Sequence, residues 1–210
     1  MTKPESLAAL EKLGRERLSP SFFMRDFLYS EISNLHGIPN IPDAPDLAIA
    51  VGKHLCEELL EPLNATFGRI EIRSAYRSCE LNGFGNKMAK EKKAGYNCAE
   101  NEKNYAHHIW DRLDSDGHKG STACIVIPWF AGRYKAGADW RSLAYWIHDH
   151  LPYSEMEFFS ELCAFNLSWH ERPKKRISSY IEPKGSLDLN TVAGESHSKW
   201  YADFPQLPLR

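Results

Sequence analysis

The segment LAIAVGKHLCEELLEPLNATFGRIEIRS, residues 47–74, changes its hydrophobic period part-way along. Leu47, Val51, Leu55, Leu59 and Leu63 recur at helical spacing, and Gly68 is the residue type that ends such a helix. Beyond it, RIEIRS (69–74) sets Ile70 and Ile72 between charged neighbours, the period of a half-buried strand. Downstream, TACIVIP (122–128) is short, apolar and β-branched and ends at a proline, as a central strand does. WRSLAYWIHDHL (140–151) reads as a helix, and MEFFSEL with AFNLSWH as two strands or a hairpin around 156–170. Upstream, residues 4–17 read as a short amphipathic helix, and IPNIPDAPD (38–46), with three prolines, as a connector. Helices and strands therefore mix without regular alternation, which favours an α+β fold over a doubly wound sheet.

The composition agrees with one folded unit. The chain has 210 residues, 26 Lys+Arg against 28 Asp+Glu, and 42% hydrophobic residues, which excludes disordered and collagen-like classes. The expected organisation is an N-terminal extension (1–20), a main domain (21–182) with a polar insertion at about 83–117, and a tail (183–210). No apolar run approaches the roughly 20 residues needed to span a bilayer, so no membrane is expected. The N-terminus MTKPESLAALEKLGRERLSP lacks the apolar core of a secretory signal, so a cytoplasmic protein with its five cysteines reduced is expected. Balanced charge gives no reason to expect nucleic acid, and RPKKR (172–176) reads as a solvated edge.

The region from about 78 to 120 is polar and rich in Gly, Asn, Lys and His. A structureless loop of that length inside a compact domain is uncommon, and long loops often carry function. His107, His108, Asp111 and Asp114 lie within it.

Several local words, in order, resemble a known family. IRSAYRSCELN (72–82) resembles the IRSGYRSPELN segment of zinc D-Ala-D-Ala carboxypeptidases and L-alanyl-D-glutamate endopeptidases (peptidase M15-like), which have the Hedgehog/DD-peptidase fold. GSTACIVIP (120–128) resembles the family's G-x-A-x-D-I-x-V-P strand, and Trp169-His170 its final ligand segment. The resemblance covers roughly residues 20–175. It implies a small antiparallel sheet flanked by helices. It also implies a zinc ion held by His, Asp and His, an acidic general base, and an arginine facing a peptide substrate. Zinc with three protein ligands keeps a position for water and lowers its pKa to about 7, which suits amide hydrolysis.

Carried over residue by residue, the resemblance gives His170 as the third ligand. Alignment on the 120–128 strand puts Gly117 and Cys124 in the other two slots, so that the set becomes His118, Cys124 and His170. An alternative draws ligands from the insertion: His107, His108 or Asp114. The general-base slot, three residues before His170, holds Leu167, and Glu161 and Glu171 are the nearby acids. Ser74, Tyr76, Arg77 and Trp169 are the expected substrate-facing residues, with Arg77 stabilising an anionic oxygen. Two functions follow. One is a zinc-dependent peptidase acting on peptidoglycan stem peptides. The other is a catalytically degenerate binding or structural module of the same fold, in which Trp110 and Trp129 make a partner surface. A cysteine nucleophile at Cys124 is a weaker third.

Overall fold

The computed structural model describes residues 1–189 and 196–208. It contains a six-stranded sheet flanked by helices. Helix α1 (Leu7–Gly14) is capped by the Ser6 hydroxyl, which accepts the Ala9 N–H. α2 (Glu31–His36) follows. α3 (Pro45–Leu55) starts on a proline, runs through a π-helical turn at Cys56–Leu60 and continues as α4 (Glu61–Phe67). Gly68, at φ +80°, ends the unit and turns the chain into β1 (Glu71–Ser74). The period change in 47–74 thus marks a real handover from helix to strand.

The polar insertion is largely ordered. α5 (Cys79–Lys90) begins at Ser78, whose hydroxyl accepts the Leu81 N–H, and α6 (Asn101–Asn104) forms one further turn. The start signal was present in the sequence at Ser78, followed by Glu80 and the apolar spacing Leu81, Phe84, Met88. That stripe is too thin to stand out from the polar background. Fully buried Asn82 pins the insertion, since its amide nitrogen donates to the Ala99 carbonyl (3.0 Å) and to Asn101 Oδ1 (2.8 Å), and its oxygen accepts from Asn104 (3.0 Å).

β2 (Gly120–Val126) leads directly into α7 (Pro128–Lys135), so Pro128 both ends the strand approach and opens a helix. A proline is well suited to a first helical turn, where its missing N–H costs nothing. α8 (Trp140–His150), β3 (Glu155–Phe158), β4 (Phe165–His170), β5 (Arg176–Ser179) and β6 (Gly185–Ser186) follow. The strand order is β1-β2-β4-β3-β5-β6. The expectation of a wholly antiparallel small sheet is corrected here: β3 and β5 pair in parallel, because β4 takes the antiparallel place beside β3 and the chain must cross over to its other edge.

Strand periodicity divides the sheet into two unlike faces. Ala123, Ile125, Phe165, Leu167, Met156, Phe158 and Ile177 point to one side and join the core with α3, α4 and α8. The opposite side carries Thr122, Cys124, Asn166, Ser168, Glu155, Glu157, Arg176 and Ser178. The N-terminal segment and the tail close over the same core: Leu13 and Leu18 are buried in it, and Phe204 packs against Trp129 with ring centroids 5.1 Å apart. No helix among the described residues is long and apolar enough to cross a membrane.

Candidate functional site

The polar sheet face is roofed by the insertion, and a cleft in two adjoining lobes lies between them. The larger lobe, about 590 Å³, is lined by Ser74, Arg73, Arg77, Cys98, Cys124 and Glu157 among others. The smaller, about 310 Å³, is lined by His107, Thr122, Glu155, Ser168, Arg176 and Ser178. Asn104, His108, Glu157 and Asn166 belong to both lobes. The volumes lie within or near the range of about 300–1,000 Å³ of small-molecule pockets.

Close approach of the roof to the floor is set by Gly120. A Cβ at this position would lie 2.2 Å from the Ala106 carbonyl oxygen and 2.6 Å from a His170 ring carbon. Ala106 itself has φ +56°, and its N–H bonds back to the carbonyls of Ile109 and Arg112 in a tight turn. That turn drives Trp110 into the core, where it is fully buried, 5.3 Å from the Phe27 ring, and donates from Nε1 to the Thr122 carbonyl (3.1 Å). The expected partner surface on Trp110 is therefore corrected: this indole fills the interior and anchors the roof to β2.

His108 is held from both sides of its residue. Its carbonyl accepts the Arg77 N–H (2.8 Å), and its Nδ1 sits 2.7 Å from the Ala75 carbonyl. That bond places the proton on Nδ1 and turns the Nε2 lone pair toward the cleft. Burial, reinforced by the Arg77 charge, pushes its pKa down to about 3, so the ring is neutral at pH 7. Cys124 lies opposite Asn166 across the β2–β4 pair, and burial pushes its thiol up to about 11 against the pull of Arg73 and Arg77. A protonated thiol of this kind is a poor nucleophile, which counts against cysteine chemistry. Asn166 donates to Glu157 (3.2 Å), and Glu155 takes Arg176 (2.6 Å), Lys174 (3.4 Å) and His107 (3.4 Å). Arg77 donates to the Cys98 sulfur (3.5 Å) and has no ion pair among the described residues.

The expected metal set is divided between two places. Cys124, His107 and His108 line the cleft. His170 pairs with Gly120, four residues from Cys124, which is about 13 Å along a strand. His170 and His118 instead meet Asp114 at the end of the β2–β4 pair: His170 Nε2 is 3.1 Å from Asp114 Oδ2, and His118 Nδ1 is 3.6 Å from Asp114 Oδ1. His118, Cys124 and His170 thus do not stand together: His118 precedes β2, which begins at Gly120 opposite His170, and Cys124 lies four residues further along the strand.

Of the other expected residues, Ser74 and Arg77 line the cleft. Tyr76 is fully buried against Trp110. Trp169 faces the opposite side of the sheet, stacked on His54 at 4.2 Å and donating to Glu58 (3.0 Å). Leu167 also faces the core. Glu161 stands exposed on a 3-10 turn (Glu161–Cys163), and Glu171 accepts the Lys119 N–H at the outer edge (2.8 Å). Sequence reasoning missed Glu157, Asn166 and Arg73. The alternation E-M-E-F (155–158) and F-N-L-S (165–168) could have exposed Glu157 and Asn166, and R-I-E-I-R (69–73) could have exposed Arg73, since each strand puts a polar residue at every second place.

The chain matches no family model, no curated protein and no solved structure.

Among the described residues, the cleft does not bring three His, Cys, Asp or Glu ligand atoms within 4.8 Å of one another. His108 and Cys124 are legitimate donors, yet the residue facing them across the sheet is the neutral amide of Asn166. Among the described residues, groups of three His, Cys, Asp or Glu ligand atoms within 4.8 Å of one another occur at His148–Asp149–His197 and at Asp114–Asp116–His118, both outside the cleft.

Proposed function

We propose that the protein is a ligand-binding module of DD-peptidase-like fold, and that its cleft takes a short peptide with a free carboxylate. The observation that carries this reading is the Arg77 guanidinium, aimed into the larger lobe without a carboxylate of its own among the described residues. Arg73 stands beside it, and Glu157 lies on the floor shared by both lobes. Guanidinium at one place and carboxylate at another suit a zwitterion, its carboxylate bonded bidentately by arginine and its ammonium directed to Glu157. Neutral His108 and Asn166 add uncharged hydrogen-bonding groups between them. Stem peptides of peptidoglycan are the class that the family resemblance implies.

Titration calorimetry of the whole chain with a stem peptide and with its C-terminal amide tests the proposal. The free acid is expected to bind and the amide to bind more weakly. Arg77→Ala should weaken the acid by about tenfold or more, the value of a hydrogen bond to a charged group. Equal affinity for acid and amide, or no effect of Arg77→Ala, would sink the reading.

Hydrolysis of the same peptides by a zinc peptidase is the second reading. It is favoured by the presence of a carboxylate, Glu157, in the lobe that holds Arg77 and His108. Amine release from muropeptides, followed with added zinc, separates the two readings: turnover abolished by Glu157→Gln supports hydrolysis, and binding without turnover supports the module.

A further inference from the structure

We infer that His148, Asp149 and His197 bind one divalent transition-metal ion, which fastens the tail to the end of α8. None of the three lines the cleft, and none stands at a ligand position that the family resemblance implies. The ligands come from two distant parts of the chain. His148 and Asp149 lie in the last turn of α8, and His197 opens a 3-10 turn (His197–Trp200) of the tail, 48 positions beyond Asp149. One ligand atom from each residue lies within 4.8 Å of the other two, and the His148 and His197 ring centroids are 5.6 Å apart.

Each ligand is held by a partner outside the set. His148 Nδ1 is 2.8 Å from the hydroxyl of Tyr153, which is fully buried. With the proton on Nδ1 and donated to that oxygen, the ring keeps Nε2 as a lone pair, the way in which metal-bound histidines are commonly held. The His197 ring stacks on Tyr145, with centroids 4.4 Å apart and planes 17° from parallel. Asp149 Oδ2 accepts the Tyr201 hydroxyl (2.6 Å), and Oδ1 lies 2.9 Å from His197 Nδ1. Zinc bonds of about 2.0–2.1 Å set tetrahedral neighbours roughly 3.3 Å apart, so this pair has only to open by a few tenths of an ångström. The ion takes the place of the proton between the two atoms, and that proton passes to solvent.

The charge balance favours a cation at this end of the helix. The unpaired carbonyls of a helix C-terminus carry partial negative charge, which attracts cations and disfavours a carboxylate. Asp149 stands in that turn against the preference of its own helix, and a cation between it and the two imidazoles accounts for its place there. Lys175 is a competing charge, but its ammonium donates to the Leu151 carbonyl (3.0 Å) and lies over the Tyr153 ring (4.5 Å).

Two imidazole nitrogens with one carboxylate oxygen select a borderline metal such as zinc, cobalt or nickel over calcium or magnesium, which prefer all-oxygen sets.

The test uses the full chain, stripped with chelator and titrated with zinc alone. One equivalent of zinc is expected to bind at this site. His197→Ala should weaken that equivalent by about 100-fold or more, and Asp149→Asn likewise, since even outer partners of a metal site are worth about 10- to 100-fold. His118→Ala, in the loop before β2, should leave it in place. No stoichiometric binding, undiminished binding in His197→Ala, or loss of the same equivalent in His118→Ala would each overturn the assignment. His197 lies outside the hydrophobic core, so the result does not depend on whether His148→Ala, which strips the buried Tyr153 hydroxyl of its partner, still folds.

Discussion

Gly120→Ala will destabilise the protein by about 3 kcal/mol or more, lowering its melting temperature by roughly 10 °C. The added methyl group would lie 2.2 Å from the Ala106 carbonyl oxygen, which belongs to backbone locked by its own turn, and 2.6 Å from the buried His170 ring. Neither can swing aside as a flexible side-chain end would. Relief requires lifting the 105–112 segment, which would pull Trp110 from the core and His108 from Ala75. Gly117→Ala is the control. Gly117 has φ +82° but open space around it, so alanine there carries only the backbone cost, about 1 kcal/mol. Thermal unfolding followed by circular dichroism compares the two. Equal melting temperatures for the two variants would show that the roof does not rest on β2 at Gly120.

Acid will unfold the protein well before its carboxylates are all protonated, and His108 will be a main cause. Its pKa in the folded state is about 3, lowered chiefly by burial and then by Arg77, against an ordinary value of 6.5. A histidine with a depressed folded pKa is preferentially neutral in the native state, so the unfolded chain binds the proton more readily. The stabilisation is complete above about pH 6.5 and is lost as pH falls from there toward 3, at about 1.4 kcal/mol per pH unit. At pH 4.5 the loss from this one ring reaches about 3 kcal/mol. His107 and His148, both also lowered by burial, act in the same direction. Urea unfolding between pH 7 and 4.5 measures the slope, and His108→Gln, neutral throughout, should flatten it by about one proton. An unchanged slope in that variant would show that His108 is not the group responsible.

The same residues show how far the sequence reached. The handover at Gly68, the apolar strand at 122–128 and the helix at 140–150 were legible because each depends on the spacing of side chains along one short segment. The mixed α+β class followed from their order. α5 and α7 were harder to see: one carries few apolar residues, and the other opens on the proline that was read as the end of a strand.

The division of the candidate residues into a cleft and an outer loop was not legible. Alternation along β2 and β4 states which residues share a face, but not how far apart they stand, what roofs them, or which strand lies alongside. Those depend on register and on contacts between segments dozens of residues apart. Arg77 and His108 meet through a backbone bond, and His170 and Asp114 meet across 56 positions of chain. Local sequence determines which backbone conformations are cheap and which side chains avoid water. Only the packed tertiary structure decides which polar groups that leaves facing one another, because that choice is made by the closure of one shared core.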